Sequence, residues 1–525
     1  MHASHFLFSL ALLLTPLCLI STTWLYSYPL WHGCRFPQPD SDWTPTSKAP
    51  FRLLALGDPQ LEGDSSLPKP SFHSLPSLAT IVHDARFAGS WSRRQYLLRA
   101  ALSDYSRRLP KESWKWVRLQ RKRLDLWGND WYLAHIVRCL RWWTRPSHVS
   151  VLGDLLGSQW IGNEEFERRG RRFWERVFGG LGVVGEGIMG GAAGEEGQEG
   201  QEGRQWGGRV EVLGEDKSWE NRVINIAGNH DIGYAGDLDE GRVERFERAF
   251  GKVNWDIWFT LPRTNISSPS SNTTLGDADN NDNNETDPPA LRLIILNSMN
   301  LDTPALSHSL QTQTYSFLNH VISTSRPVTS KTHATILLTH IPLYKEPGIC
   351  VDSPFFDFFD TGSGVKEQNM LSEHSSKGIL EGIFGLSGNE GAEGQGLGRR
   401  GVVINGHDHE GCDVLHYFPR MGEEDGECAK WYEAPDSATA TEGASCTSPS
   451  IPHIREITLR SMMGDFSGHA GFLSAWFDAS LGEHGEWRLE FQTCGFGIQH
   501  WWWGVMLTSS EASQEVTWSR YHLEI

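Results

Sequence analysis

Five short polar motifs, each at or near the end of an apolar run, constrain the fold of this chain more than any other feature. The motifs are Asp58-Pro59-Gln60, Gly153-Asp154, Gly228-Asn229-His230-Asp231, His340 and Gly406-His407-Asp408-His409. The preceding apolar runs are Leu53–Leu56, Val149–Leu152, Val223–Ala227, Thr335–Thr339 and Val402–Ile404. Short apolar runs are typical of buried strands, and an α/β sheet places its site at the carboxyl ends of its strands. The motifs therefore predict an α/β protein with one site at a sheet edge.

The side chains in these motifs offer carboxylate, imidazole and amide ligands for divalent metal ions. Two ions held about 3.5–4 Å apart can act on both the attacking and the leaving oxygen of a displacement at phosphorus. Asp154 is the candidate for the bridging carboxylate. Asp58 and Gln60 leave their strand two residues apart, on the same side, which suits two ligands of one ion. Any single motif could instead consist of ordinary loop residues that follow a core strand. The full ordered set of five motifs favours a metal site.

The ordered set resembles the calcineurin-like metallophosphoesterase superfamily, whose pattern is D-x-H, G-D, G-N-H-[DE], H and G-H-x-H. The resemblance runs from about Phe51 to the C-terminal region. It implies a four-layer α/β/β/α sandwich, in which two stacked mixed sheets lie between layers of helices. It also implies two ligand sets, Asp58, Gln60, Asp154 and His409 for one ion and Asp154, Asn229, His340 and His407 for the other. His230 would lie near the scissile group, and Gln60 stands where most members have histidine.

Two local segments look like a narrower subgroup. The segments Leu56–Leu61 and Arg460–Gly464 are similar to those of the fungal endoplasmic-reticulum phosphodiesterases that remove ethanolamine phosphate from the glycan of GPI anchors. Members of that subgroup share the glutamine, so the departure at Gln60 does not by itself imply an inactive site. The expected partner is a GPI glycolipid or a GPI-anchored protein. A phosphoesterase for monoesters or nucleotides, and a non-catalytic binding scaffold, stay open as alternatives.

The ligand chemistry bears on the metal and on the acid–base group. An amide at Gln60 in place of an imidazole makes one ligand set harder, which favours Mn²⁺ over Zn²⁺. We expect two divalent ions, with His230 protonating the departing alkoxide and Asp231 orienting the His230 ring. Both residues are therefore predicted to be catalytic.

The N-terminal segment, residues 1–32, carries the targeting information. Phe6 to Tyr26 has no charged residue and aromatic residues at its far end, as expected of a transmembrane helix. A cleaved signal peptide is the competing interpretation. The sequons at Asn265, Asn272 and Asn284 favour a glycosylated, lumenal body, although polar composition also creates sequons by chance. The prediction is a single-pass protein of the endoplasmic reticulum membrane. The net charge of −18 disfavours a nucleic-acid partner.

The remainder, residues 48–525, is predicted to be one catalytic domain interrupted by insertions. Four stretches are too polar or too rich in glycine to pack a core and are predicted to be disordered, namely 179–208, 267–289, 388–398 and 422–449. The runs Ile454–Met463, Gly471–Asp478 and Glu486–Phe491 are predicted strands of the second sheet. Cysteine spacing allows the pairs Cys350–Cys412 and Cys428–Cys446, with free buried thiols as the alternative.

The segment from Trp91 to Arg145 is basic in an acidic protein, with fourteen Lys or Arg residues against four Asp or Glu residues. One interpretation is a pair of helices with a solvated basic face and aromatic residues packed on a sheet. The other is a surface for membrane headgroups or glycolipid phosphates, since Arg and Trp suit that boundary. Asp130, Tyr132 and Arg138 are the candidate substrate-binding residues within it.

Overall fold

The computed structural model describes residues 2–39, 48–71, 78–190, 206–262, 288–360, 362–418, 431–433, 453–463, 468–496 and 499–508. The strands are β1 (Phe51–Leu56), β2 (His148–Val151), β3 (Gly182–Val183), β4 (Gly207–Val212), β5 (Arg222–Asn225), β6 (Trp255–Thr260), β7 (Ala290–Ile295), β8 (His333–Leu338), β9 (Phe356–Phe358), β10 (Val365–Gln368), β11 (Arg400–Asn405), β12 (Cys412–Tyr417), β13 (Trp431–Glu433), β14 (His453–Thr458), β15 (His469–Asp478) and β16 (Glu486–Gly495).

The helices are α1 (His2–Trp31), α2 (Leu78–Phe87), α3 (Trp91–Thr144), α4 (Asn163–Arg172), α5 (Glu186–Met189), α6 (Asn229–Ile232), α7 (Glu240–Phe250), α8 (His308–Ser323) and α9 (Glu373–Gly382), followed by a helix at 499–508. The chain divides into two compact units. The first unit is Met1–Leu61 with Tyr132–Ile525, and the second is Glu62–Trp131.

Two mixed sheets form the centre of the first unit. One has six strands in the order β16-β15-β1-β2-β5-β3, and the other has eight in the order β13-β12-β14-β11-β8-β7-β6-β4. Strands β1, β2 and β5 run parallel to one another, as do β7, β8, β11 and β14. Parallel pairing brings the carboxyl ends of neighbouring strands to one edge of each sheet, where the predicted motifs begin.

A shared apolar core joins the two sheets. It contains Leu53 and Ile224 from the six-stranded sheet and Ile257, Leu293 and Ile336 from the eight-stranded sheet, all within 1% of full burial. Strands β7 and β8 are buried at every position, so their sequences are mostly apolar rather than alternating, with Arg292 in β7 and His333 and Thr335 in β8 as the exceptions. The predicted α/β sandwich is confirmed by this arrangement.

The sheet assignment of the C-terminal strands is partly wrong. The run starting at Ile454 does join the eight-stranded sheet, as β14 beside β11. By contrast, β15 pairs antiparallel with β1, and β16 pairs with β15 over ten residues, so both extend the six-stranded sheet. Apolar content predicts that a segment is a strand, but its partner is set by long-range pairing that composition does not encode.

The predicted disorder is wrong for two segments. Within 179–208, Gly182–Val183 pairs with β5 and Glu186–Met189 forms a helical turn that buries Ile188 and Met189. Two apolar side chains are enough to anchor this otherwise glycine-rich stretch. Within 388–398, the turn Glu393–Gly396 is ordered by backbone hydrogen bonds such as Ser387 N to Gly396 O. Residues 191–205, 267–287, 422–430 and 434–449, with Cys428 and Cys446, lie outside the described residues.

The segment Phe6–Tyr26 lies within α1. Among the residues that the structure describes, no helix is both long enough and apolar enough to cross a bilayer, so the predicted transmembrane helix is not confirmed.

A disulfide that was not predicted joins Cys34, just after α1, to Cys494 on β16. The predicted glycosylation sites Asn265, Asn272 and Asn284 lie outside the described residues.

The second unit consists mainly of α2 and the first 41 residues of α3, which is one continuous helix rather than the predicted pair. Glu112 accepts the backbone N–H of Ser71 at 2.5 Å and pairs with Lys115 at 2.8 Å. Trp91, Trp114 and several other aromatic side chains of this helix are exposed rather than packed on a sheet. Aromatic side chains therefore lie on the surface of this helix, and a role of that surface in binding membrane headgroups or glycolipid phosphates stays a prediction.

Candidate metal centre

The loops that carry the motifs leave their strands through left-handed backbone conformations. Asp58, Gln60, Asp154 and His407 have φ values of 36°, 41°, 49° and 73°. Residues other than glycine seldom adopt positive φ, and such positions are concentrated at functional sites because surrounding contacts must hold them in place. Four of the seven predicted metal ligands are held in this way, so the turns that aim the ligands are strained as well as short.

Three motif glycines allow these turns to approach one another closely. A Cβ atom on Gly153 would lie 2.1 Å from His340 Nδ1, and one on Gly406 would lie 2.4 Å from Asp58 Oδ1. At Gly228 the added atom would lie 2.2 Å from both the backbone N and the Oδ1 of Asp154. The glycines in the motifs are therefore required by packing between loops, each loop touching a candidate ligand of another.

Backbone carbonyls fix the tautomers of two histidines. His340 Nδ1 lies 2.7 Å from Leu152 O, and His407 Nε2 lies 2.9 Å from Gln368 O, so these nitrogens carry the protons that are donated. The other nitrogens, His340 Nε2 and His407 Nδ1, each lie 3.0 Å from Asn229 Oδ1. Two imidazole nitrogens and an amide oxygen thus converge, which is a ligand arrangement for a cation. Burial would lower the pKa of His340, but Asp154 outweighs it and raises that pKa to about 9, so His340 Nε2 carries a proton at neutral pH that a bound cation would displace.

Asp154 lies beside Asn229, His340 and His407 and faces a second group of candidate ligands. Its Oδ1 lies 3.4 Å from His340 Nε2 and accepts the backbone N–H of His230 at 2.8 Å. Its Oδ2 lies 3.2 Å from Gln60 Nε2. Burial would raise the pKa of Asp154, but His230 and His340 outweigh it and hold that pKa below its usual value. The carboxylate is therefore ionised and has one oxygen on each side, as a bridge requires.

The second group contains Asp58, Gln60 and His409. His409 Nε2 lies 3.4 Å from Asp58 Oδ2 and 3.1 Å from Gln60 Nε2. Rotation of the Gln60 amide by half a turn would exchange its nitrogen for its oxygen at the same position, so either atom can face Asp154 and His409. The amide oxygen would be the metal ligand.

The donor set fits two cations. Asp58 Oδ1 is buried and has no hydrogen-bond partner among the described residues, and such an orphaned carboxylate oxygen is costly without a positive charge nearby. Burial and the neighbouring His340 lower the pKa of His407 to about 3, so its ring is neutral and free to bind metal. Asp154, His340 and His407 bring ligand atoms within 4.8 Å of one another. All seven predicted ligands meet at the sheet edge.

His230 and Asp231 lie differently from the prediction. The His230 side chain is 37% exposed, and its Nε2 lies 3.8 Å from Asp154 Oδ2, at the open side of the centre. Asp231 does not orient the His230 ring, because its carboxylate is buried and accepts the backbone N–H groups of Leu155, Leu156 and Gly228 at 2.9–3.1 Å. Its role is to fix the backbone of two motif loops, so the predicted catalytic role of Asp231 is wrong.

The two subgroup segments lie against each other. Ser461 Oγ donates to Asp58 O at 2.9 Å, and Met462 N donates to Gly57 O at 2.8 Å. A Cβ atom on Gly57 would lie 2.7 Å from Arg460 O. The segment after β14 therefore supports the strained turn that carries Asp58 and Gln60, which explains why both segments are distinctive together.

The disulfide Cys350–Cys412 is present, which confirms that predicted pair. It links the segment after His340 to the start of β12, three residues beyond His409. The candidate substrate residues all lie on α3. Asp130 is buried in the second unit, whereas Tyr132 and Arg138 belong to the first, where Tyr132 is buried and Arg138 is exposed. Their predicted role stays a prediction.

Sequence reasoning missed groups that support the ligands. Gln368 orients His407 through its backbone oxygen, and its side chain donates to the buried Asp302 at 2.9 Å. Glu456 and Lys345 form a buried ion pair behind the site, at 2.8 Å. The sequence of β14 gives no local signal for Glu456, because Arg455 and Glu456 are adjacent charged residues and only the structure shows that Glu456 is the buried one.

The fold and the site together define a metallophosphoesterase. No family model matches the chain. It is 31% identical to Protein TED1 of Saccharomyces cerevisiae over 414 residues, which are 73% of this chain and 75% of that protein. It is 30% identical to an uncharacterized protein of Schizosaccharomyces pombe over 67% of this chain and 63% of that protein, and 22% identical to Metallophosphoesterase 1 of Danio rerio over 56% and 60%. The chain belongs to the metallophosphoesterase family of fungal TED1-type proteins, and its function is of the phosphoesterase type.

Close packing at Gly228 generates a test. Gly228→Ala should weaken metal binding by about 10–100-fold, the range for disturbed outer contacts of a metal site, because the methyl group displaces Asp154. Bound metal measured by mass spectrometry during titration of metal-free protein checks this. Gly187→Ala is the matched control, since its Cβ meets open space and neither glycine has a positive φ. Equal metal affinities in the two variants would contradict the assignment.

Proposed function

We propose that this protein is a two-metal phosphodiesterase that removes ethanolamine phosphate from a mannose of GPI-anchor glycans. The observation that carries the phosphodiesterase part is the convergence of Asn229 Oδ1 with His340 Nε2 and His407 Nδ1, beside Asp154. The proposed ligands are Asp58, Gln60, Asp154 and His409 for one ion and Asp154, Asn229, His340 and His407 for the other, and the proposed metal is Mn²⁺.

When bound, two divalent ions supply a water nucleophile that is active near neutral pH and neutralise charge on the phosphoryl oxygens. The protein itself holds the metal ligands in place and provides the group that donates a proton to the leaving oxygen. The backbone N–H of His230 donates to Asp154 Oδ1 and fixes the carboxylate, which would serve as the ligand shared by both ions. His230 Nε2 lies at the open side of the centre, and we assign to it the proton that goes to the leaving mannose oxygen. Asp231 keeps the His230 loop in place through Gly228 N.

Two observations support a glycolipid substrate. The Arg460–Met463 segment and the Asp58–Gln60 turn, which resemble the GPI phosphodiesterases, are in direct contact and shape the same side of the centre. Within the second unit, α3 exposes Trp91, Trp114 and Trp116 among many basic residues. Exposed tryptophan and arginine suit an interface between phosphate groups and apolar lipid.

The direct test is incubation of the purified, manganese-loaded full-length protein with a GPI glycan that carries ethanolamine phosphate on mannose. Mass spectrometry should detect loss of one ethanolamine phosphate. Asp154→Asn should lose both the activity and the bound metal, because an amide cannot bridge two cations. His230→Ala should keep the metal and lose rate by about 10²–10⁴-fold, as expected for a missing acid.

Other results would redirect the assignment. Hydrolysis of an aryl phosphomonoester but not of a bis(aryl) phosphodiester or the GPI glycan would make the protein a different phosphoesterase. Bound metal with no hydrolysis of any of these substrates would favour a binding scaffold. Loss of metal in His230→Ala would make His230 a ligand.

We further propose that the protein lies in the endoplasmic reticulum, at the membrane, with its catalytic part in the lumen. The support is the pair of disulfides, Cys34–Cys494 and Cys350–Cys412, since disulfides persist in oxidising compartments. Protein made in a eukaryotic host should shift in mobility after glycosidase treatment. Replacing Asn265, Asn272 and Asn284 by Gln should abolish the shift and preserve hydrolysis, because their stretch carries none of the metal motifs. An unglycosylated, reduced protein would contradict the lumenal location.

A further inference from the structure

Glu456 is a fully buried carboxylate that interacts with four donors. Its Oε1 accepts Leu343 N at 2.8 Å and Asn405 Nδ2 at 2.7 Å. Its Oε2 lies 2.6 Å from His416 Nε2 and forms an ion pair with Lys345 Nζ at 2.8 Å. Three hydrogen bonds and one ion pair therefore hold the carboxylate in place.

The donors come from the chain segments that carry the imidazole ligands. Leu343 and Lys345 follow His340 by three and five residues, and Asn405 directly precedes the Gly406-His407 turn. His416 lies on β12, the strand that follows His409. Glu456 itself lies on β14, which is placed between β11 and β12 in the sheet, opposite Val403 and Val414. One side chain thus joins the segments next to all three histidine ligands.

Stability alone does not account for a charged cluster at this position. Burial opposes ionisation of Glu456, but Lys345 and His416 outweigh it and lower its pKa to about 2. Burial also lowers the pKa of Lys345, and Glu456 offsets part of that effect. A buried ion pair of this kind contributes little to stability compared with apolar residues of similar volume, because both charges lose their hydration. Unlike apolar residues, the carboxylate also accepts directional hydrogen bonds from specific loops.

We propose that Glu456 is the positioning residue for the histidine side of the metal centre. It holds the backbone at Leu343 and the side chain of Asn405 at a fixed separation. His340 Nε2 and His407 Nδ1 are therefore each held 3.0 Å from Asn229 Oδ1, so that the three could bind one cation. Glu456 acts through these neighbours and does not touch the substrate or the metal. The inference rests on the proposed function, since it assigns a support to the same metal centre.

The test is the manganese affinity of Glu456→Gln. Metal is removed from the full-length protein with a chelator, Mn²⁺ is titrated back, and bound manganese is measured by mass spectrometry. The half-saturating concentration should rise by about 10–100-fold, the range for loss of an outer-shell contact. Asp256→Asn is the matched control: Asp256 and Arg292 form an equally buried ion pair, at 2.6 Å, whose arginine bonds to α8 at Val321 O instead of a metal loop. This control should lose thermal stability and keep the wild-type manganese affinity.

A second variant covers the case in which Glu456→Gln does not fold. Asn405→Ala removes one donor and leaves the carboxylate with three, so no buried charge loses its ionic partner. It should raise the half-saturating manganese concentration in the same direction by a smaller factor. Wild-type affinity in folded Asn405→Ala or Glu456→Gln would overturn the positioning role alone, as would an equal rise in Asp256→Asn. A wild-type protein that binds no manganese or other divalent metal would instead overturn the proposed function on which this inference rests.

Discussion

The structure depends on one electrostatic constraint, the crowding of candidate metal ligands at one edge of the two sheets. Asp154, Asn229, His340 and His407 bring a carboxylate, an amide and two imidazoles within hydrogen-bonding distance. Burial would lower the pKa of His340, but Asp154 raises it to about 9, so a proton on His340 takes the place of the positive charge that a bound cation would supply. The strained turns at Asp58, Gln60, Asp154 and His407 are tolerable for the same reason, because ligand binding offsets the cost of positive φ.

The supports of this centre are of three kinds, and each holds a different part of it. Glycine contacts such as Gly153 against His340 set how closely the loops approach. Asp231 and Ser461 fix backbone on the aspartate side, through Gly228 N and Asp58 O. Two contacts join the segments that carry the histidine ligands. Glu456 joins them in the protein interior, and the Cys350–Cys412 disulfide joins them farther from the ligands along the chain. The contacts that hold the loops are spread over strands far apart in sequence.

Sequence reasoning could predict the parts of the fold and site that depend on local pattern. Strand ends followed by Asp, Gln, Asn and His were sufficient to find all seven residues that meet at the sheet edge. The spacing of Cys350 and Cys412 from the motifs allowed their pairing but left free thiols as an alternative. The errors concern long-range partners. The position of β15 beside β1, the bond from Asp231 to Leu155 and Leu156, and the role of Glu456 depend on contacts across more than fifty residues. No local pattern of hydrophobicity or charge specifies these contacts.

The central claim is that these seven side chains hold two cations bridged by Asp154. Anomalous X-ray diffraction at the manganese edge, on crystals of the full-length protein grown with Mn²⁺, tests it most directly. Our account predicts two peaks about 3.5–4 Å apart. One peak should lie among Asn229, His340 and His407, and the other among Asp58, Gln60 and His409, with Asp154 between them. A single peak, or two peaks that do not share Asp154, would contradict it.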